Sequence, residues 1–309
     1  MKTDSVLEKV LSSGNLAVTS ECGPPRGAAV DKVKKKAKLL EGVVDAVNIT
    51  DNQTAMVRMS SFAAGVFLRQ MGLHPILQMV TRDRNRLAMQ ADIIGAYAHG
   101  INTMLCLSGD HPHFGDHPMA ANVHDIDSIQ FIQMVRQMRD EGTFQGGAEI
   151  DVPPKMFIGA AANPFADPFE LRVARLAKKV AAGVDFIQTQ CIYNLDKFEQ
   201  WMEGVCARGL HEKCAILAGI TPMKSAGMAR YMKNKVPGMD VPQELVDRMA
   251  GVPKEKQAEE GIKICVESMQ RLKEVKGVAG FHIMAIEWEQ KVPEIMEKAG
   301  LLPRPEISA

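Results

Sequence analysis

Two acids stand where short apolar runs break off. Glu21 lies in Thr19-Ser-Glu-Cys-Gly-Pro-Pro-Arg26, and Asp110 ends Leu107-Ser-Gly-Asp110. Two carboxyls at one mouth can hold different protonation states. A partly desolvated Glu stays protonated and donates, while a solvated Asp stays anionic. That division suits general acid catalysis beside a developing positive charge. From position alone the alternative stays open, in which both acids cap loops or pair with lysines. Pro24-Pro25 fixes a stiff, extended exit behind Glu21, as a residue that must be held in place requires. Gly109 permits a close backbone approach to a ring or phosphate. The segment His111-Pro-His-Phe-Gly-Asp-His117, with His124, holds four of the eight histidines. No helix fixes their geometry, so they read as polar loop residues rather than metal ligands. Lys178 and Lys179, by themselves, read as a solvated helix face.

These residues need a frame, and one rhythm supplies it. Short, nearly continuous apolar runs occur at 16–21, 43–50, 75–80, 102–107, 155–161, 184–190, 214–220 and 280–284. Runs of this kind suit parallel strands buried on both faces. Amphipathic stretches at 30–40, 55–71, 83–99, 125–141, 168–182, 195–208 and 255–274 alternate with them. Glycines 42, 72, 100, 142, 183, 209 and 300 stand where helix C-caps belong. Pro168 fits a first helical position behind Asp167 as N-cap. Eight strands with crossover helices predict an α/β fold, a closed (β/α)8 TIM barrel, as a single domain over 1–309. An open doubly wound sheet is the alternative. Segments 108–124 and 232–254 read as irregular. Neither a GxGxxG after the first strand nor a GxxxxGK[ST] occurs, so a Rossmann or P-loop site is not indicated.

Barrel active sites form at the C-terminal ends of the strands. Glu21, Thr50, Gln78, Ser108-Gly109-Asp110, Asn163, Gln190 and Glu287 all fall at or near such ends.

Composition narrows the function further. The 309 residues carry 37 Lys+Arg and 37 Asp+Glu. The balance excludes a strongly cationic surface, and with it nucleic-acid binding as the main theme. No window of 18 apolar residues predicts a membrane span, and the polar N-terminus lacks the apolar core of a signal peptide. A cytoplasmic protein is expected. The six cysteines, at 22, 106, 191, 206, 214 and 265, form no close pair, which fits a reducing compartment. Methionine is abundant, 20 residues against 11 Phe, 3 Tyr and 2 Trp, and reads first as core filler.

Taken together, the strand ends resemble the methylenetetrahydrofolate reductase family. The carrying residues are Glu21-x-x-Pro-Pro-Arg26, Thr50, Leu107-Ser-Gly-Asp110, Ala161-Ala-Asn-Pro164, Lys178-Lys179-Val-x-Ala-Gly183, Thr189-Gln190 and Gly219-Ile-x-Pro222. They occur in the family's order over nearly the whole chain. The likeness is to the short bacterial form, catalytic barrel only, and to divergent members in anaerobic one-carbon metabolism. It implies a flavin-dependent reduction of 5,10-methylenetetrahydrofolate to 5-methyltetrahydrofolate, with hydride passing from the reduced flavin N5 to the iminium carbon. It implies Glu21 as general acid, and Asp110 as the anion that steadies the cation and tunes the flavin. Gln190, with Asp110, would bind folate. Thr50, Gln78, Ser108, Gly109, Asp110, Asn163, Asp167 and Lys179 would bind the cofactor, the lysine near phosphate. A pterin-dependent methyltransferase without flavin, or an inactive folate-binding subunit of a larger complex, are the competing readings.

Some positions depart from the family pattern. Ser108 replaces an arginine, Asn163 a tyrosine, Asp167 a histidine and Arg172 an acid. These positions touch the outer part of FAD, so the expected cofactor is FAD with FMN as the alternative. Met228 and Met232 replace residues that meet folate and nicotinamide, and Trp288 replaces an arginine that grips the folate tail. The electron donor is accordingly expected to be NAD(P)H or a partner electron-transfer subunit, in an oligomer or complex.

Overall fold

A computed structural model describes residues 1–306. Eight parallel strands close into a barrel in sequence order. They are β1 (Ala17–Cys22), β2 (Ala46–Ile49), β3 (Pro75–Val80), β4 (Thr103–Leu107), β5 (Phe157–Ala162), β6 (Phe186–Cys191), β7 (Ala215–Ile220) and β8 (Val278–Ile283). β8 pairs with β1 in the register Ala17↔Gly280 to Ser20↔Ile283, which closes the ring. The closed alternative holds and the open sheet does not. The helices are α1 (Val6–Ser12), α2 (Val30–Lys38), α3 (Ser61–Gln70), α4 (Arg86–Ala98), α5 (Ser128–Asp140), α6 (Leu171–Ala182), α7 (Leu195–Ala207), α8 (Ala226–Lys235), α9 (Gln243–Ala250), α10 (Gln257–Lys273) and α11 (Val292–Lys298). Among the described residues, no helix is long and apolar enough to cross a membrane.

The barrel interior is layered. Ala17, Ala46, Ile76, Leu105, Phe157, Phe186 and Leu217 form an apolar floor, and Leu7 and Val10 of α1 plug it from below. Phe157 and Phe186 stack with centroids 5.2 Å apart. Gly159 makes room for this, because a Cβ there would lie 2.2 Å from the Phe186 ring. One layer higher the lumen turns polar, with Thr19, Asn48 and Gln188 bonded to one another and fully or nearly fully buried. The main core lies outside the barrel, between strands and helices. A second apolar cluster joins α8, α9 and α10, where Met223, Met232 and Met249 are buried.

Several expected boundaries shift. The helix expected over 55–71 begins at Ser61, where the Ser60 hydroxyl accepts the Ala63 N–H at 3.2 Å. Asn52, Thr54 and Ala55 lie at positive φ, which an α-helix does not tolerate. Val57, within the expected helix, is exposed. The helix expected from Pro168 begins at Leu171, and Asp167 is not its cap. Residues 168–171 form a turn, and the carbonyls of Asp167 and Pro168 accept the Arg172 guanidinium. The segment 232–254 contains the end of α8 and all of α9 rather than irregular chain. All seven expected cap glycines have positive φ.

α5 carries a capping box. The Asp127 carboxylate accepts the N–H groups of Ile129 and Gln130 at 2.8 Å, and the Gln130 side chain accepts the Asp127 N–H at 2.9 Å. Asp127→Ala is expected to cost about 1 kcal/mol, read as a lower urea midpoint at unchanged slope.

Candidate active site

The C-terminal ends of β1 to β4 and the residues just beyond them share one rim. Glu21, Thr50, Gln78, Ser108, Gly109 and Asp110 meet there, lining one cleft of about 250 Å³ with Asp51, Asn52, Gln53 and Arg82. Six of the expected site residues therefore share one wall. Gly109 has φ +87°, and a Cβ there would come within 3.0 Å of Val80. The bare backbone keeps the cleft floor open on that side. The Thr50 hydroxyl is buried and has no hydrogen-bond partner among the described residues. A buried polar atom left unpaired is unfavourable unless a ligand satisfies it.

The loops over the cleft are tightly tied. Asp110 accepts the Thr54 N–H at 3.1 Å. Asp116 accepts the Val57 N–H at 3.2 Å and forms an ion pair with Arg26. The Pro24 and Pro25 carbonyls accept Arg58 and the Met59 N–H, so the proline exit of β1 is clamped as its stiffness suggests. Arg82 joins three strand ends. It donates to Asp83 at 2.6 Å, to the Asp110 carbonyl at 2.8 Å and to the Asn52 carbonyl at 3.3 Å. The bond to Asp83, with the charges of Asp83, Asp51 and Asp110 nearby, raises the Arg82 pKa above its ordinary value, so the cation is permanent. Asp51, also buried, accepts the Val80 N–H and the Arg84 guanidinium. Sequence reading overlooked Arg82, Asp51 and Arg84 as organisers of the rim, although the run Thr81-Arg-Asp-Arg84 directly after a strand was visible.

Beneath the rim, Glu21 stands 3.6 Å from the Nε2 of His282 on β8, whose ring is buried. Its Nδ1 lies 2.9 Å from the Thr19 hydroxyl. Sequence reading missed this histidine. The only cue was a polar residue at an inward position of a strand.

Asn163 and Lys179 belong to a second, small pocket at the end of β5, lined also by Arg172 and Arg175. Asn163 is anchored by bonding the Gly238 carbonyl at 3.1 Å and the Phe165 N–H at 2.9 Å. Lys179 is buried rather than on a solvated face, and its ammonium donates to the Ala161 carbonyl. Burial, with repulsion from Arg175 behind it, brings Lys179 down to about 8. Asp167 is exposed outside both pockets. Gln190 stands at the end of β6 with its amide oxygen turned to the Cys191 N–H, apart from the β1–β4 cleft. Met232 is buried in the cluster of α8 and α9, and Met228 packs against that cluster. Trp288 lies under Lys224, whose ammonium is 5.8 Å from the ring centroid. His111 is used locally, its ring accepting the His113 N–H. Among the described residues no group of three or more potential metal ligands converges.

A closed eight-stranded barrel with its polar groups gathered at the strand C-termini has the layout of a barrel enzyme. The chain belongs to the methylenetetrahydrofolate reductase family, whose model matches residues 6–300. A probable methylenetetrahydrofolate reductase (NADPH) of Caenorhabditis elegans is 23% identical, covering 79% of this chain and 35% of that protein. Methylenetetrahydrofolate reductase 2 of Schizosaccharomyces pombe is 28% identical over 68% of this chain and 33% of its own length. The chain thus spans about a third of the length of these curated relatives. Among solved structures, an uncharacterized protein from Clostridium thermocellum that binds two copies of 5-methyl-5,6,7,8-tetrahydrofolic acid has the same fold. Its TM-score is 0.61 at 15% identity, with 95% of this chain and 99% of that one covered.

Proposed function

We propose that this chain, working as one flavin-binding barrel, reduces 5,10-methylenetetrahydrofolate to 5-methyltetrahydrofolate. The observation that carries the reading is the meeting of Glu21 and Asp110 in one cleft beside an unpartnered Thr50 hydroxyl. The cleft residues fit a flavin. Thr50 offers an unused hydrogen-bonding group, Gly109 offers side-chain-free backbone, and Gln78 and Ser108 line the same wall. The neighbouring pocket of Arg172, Arg175 and Lys179 suits a phosphate, which FAD and FMN both carry. When bound, the reduced flavin supplies the hydride for the substrate's one-carbon unit.

The protein's own groups do the rest. Glu21 delivers a proton to the folate nitrogen that leaves as the five-membered ring opens to the iminium ion. Asp110 presents a negative charge fixed by the Thr54 N–H, which favours that cation. The clamped β1, β2 and β4 loops keep the two carboxyls in place. Gln190 would bind the folate from the β6 side.

The reading is tested by mixing the purified, photoreduced protein with methylenetetrahydrofolate and following flavin reoxidation and product. No reoxidation would sink it. The donor is found by turnover with NADH, NADPH and a reduced dye. Fast turnover with either nucleotide by the isolated chain excludes the need for a partner subunit. Mass analysis of the released flavin separates FAD from FMN.

Lys179 makes a pH prediction. Its ammonium loses the proton as pH rises through about 8, and an anion bound there holds the proton to higher pH. Flavin affinity should therefore fall between pH 7 and 9, by up to about tenfold. Lys179→Met should be weak and flat over that range in a fluorescence titration.

A further inference from the structure

A barrel lumen filled with branched apolar side chains is the usual arrangement, and this one departs from it. The middle layer is a closed hydrogen-bonded set drawn from four strands. Asn48 on β2 donates to Gln188 on β6 at 2.6 Å, and Gln188 donates back at 3.0 Å. The same Gln188 amide donates to the Thr19 hydroxyl at 3.1 Å. Thr19 has one proton of its own. It lies 2.9 Å from Nδ1 of His282 and 3.4 Å from the Phe281 carbonyl, so giving it to the imidazole makes the shorter bond. Nδ1 is then an acceptor, and a neutral ring must carry its proton on Nε2. That nitrogen faces the Glu21 carboxyl at 3.6 Å.

We propose that His282 is a positioning residue for Glu21, held in the Nε2–H tautomer by the Thr19–Gln188–Asn48 chain. The inference rests on Glu21 as the general acid of the proposed reaction. Once Glu21 has given its proton to the folate, the Nε2–H receives the carboxylate left behind. The proton transfer becomes easier because its product is stabilised. Asn48 sits beside Glu21 in the sheet, but neither its amide nor that of Gln188 lines the cleft or bonds the Glu21 carboxyl; they act through Thr19. The groups facing the ring from neighbouring strands are Thr19 and Glu21 from β1, while β7 presents Gly219 at the paired position. Cys191 on β6 is within electrostatic reach of Glu21, but burial pushes its thiol up to about 12, so it stays neutral. Glu21 is thus the charged partner of this imidazole.

Two substitutions separate the roles. His282→Asn keeps an acceptor near Nδ1 for Thr19 but cannot reach Glu21. His282→Gln places an N–H near the Nε2 position. Reoxidation of the reduced flavin holoprotein by methylenetetrahydrofolate is measured across pH, with Glu21→Gln as control. His282→Asn should slow that step by about 10- to 100-fold, the weight of a hydrogen bond to a charged group. The pH at which the rate falls off should move up by about one unit, because a donor to the charged form is lost. His282→Gln should recover most of both. Flavin absorbance should match wild type in each.

If wild type reduces the folate and Glu21→Gln does not, while His282→Asn keeps the wild-type rate and pH profile, the positioning role is overturned and the reaction stands. If wild type itself shows no reoxidation, the functional reading fails instead. Should the variants not fold, nitrogen NMR of the wild-type histidines decides. A His282 ring protonated on Nε2 supports the proposal, and one protonated on Nδ1 overturns it.

Discussion

Glu21→Gln is expected to lower flavin reoxidation by methylenetetrahydrofolate about 10²–10⁴-fold, the usual weight of a placed general acid. Flavin binding and folding should stay unchanged. The amide keeps the shape of the carboxyl and leaves the rim contacts intact, since among the described residues no loop hydrogen bond runs through the Glu21 side chain, whose carboxyl faces His282. Its loss therefore isolates proton delivery from architecture. Asp110 offers no such clean separation. Its carboxylate also holds the Thr54 N–H, so Asp110→Asn perturbs the β2 loop together with the charge. Single-turnover rates with matched flavin spectra make the check. A Glu21→Gln protein that retains the wild-type rate would remove Glu21 as the acid.

The largest expected effect on stability lies far from the rim. Arg139 on α5 is 2% exposed, and Asp185 at the foot of β6 is 7% exposed. The guanidinium donates to Asp185 at 2.5 Å, to Asp140 at 2.7 Å and to the Met156 carbonyl at 3.0 Å. Asp185 also accepts the Ile158 N–H at 2.8 Å and the Lys2 ammonium at 2.6 Å. The carboxylate ties α5, β5, β6 and the N-terminal segment together. Arg139→Ala leaves that buried carboxylate without its closest cation, and removing one partner of such a pair costs about 3–5 kcal/mol. Chemical denaturation should show that loss. Arg139→Met combined with Asp185→Leu should recover part of it, because two apolar side chains leave no stranded charge. A loss below about 1 kcal/mol for Arg139→Ala would mean that Lys2 and the backbone N–H suffice.

The repeating alternation of apolar runs and amphipathic stretches was enough to read eight strands and a closed barrel, because a strand buried on both faces has a composition that loops lack. The rim was legible where it consists of strand-end acids and glycines, as at Glu21, Asp110 and Gly109. Four kinds of feature escaped. Helix starts were misjudged where the backbone is fixed by distant partners, as in 52–57, which hangs on Asp110 and Asp116. α9 was hidden because its apolar face, Val246 and Met249, is short and follows a proline. Lys179 looked like a wet lysine because nothing local records that α6 turns it under β5. The middle layer of the lumen is the deepest case. Thr19, Asn48, Gln188 and His282 are each unremarkable in sequence, and only closure brings them together.

That closure has a consequence for how the molecule assembles. The contact between Thr19 and His282 joins positions 263 apart in the chain, and the β1–β8 pairing that closes the ring spans nearly its whole length. Contacts of such long range carry the greatest loop-closure cost and form late. An intermediate with β1 to β7 formed would already hold the β1–β4 cleft residues yet lack the imidazole. It would also leave the Thr19 hydroxyl without its imidazole partner. The order of events then runs from a scaffold that can accept a ligand to one in which the acid is supported. Cofactor capture and catalytic competence would be gained at separate moments in folding, the second waiting on the last strand.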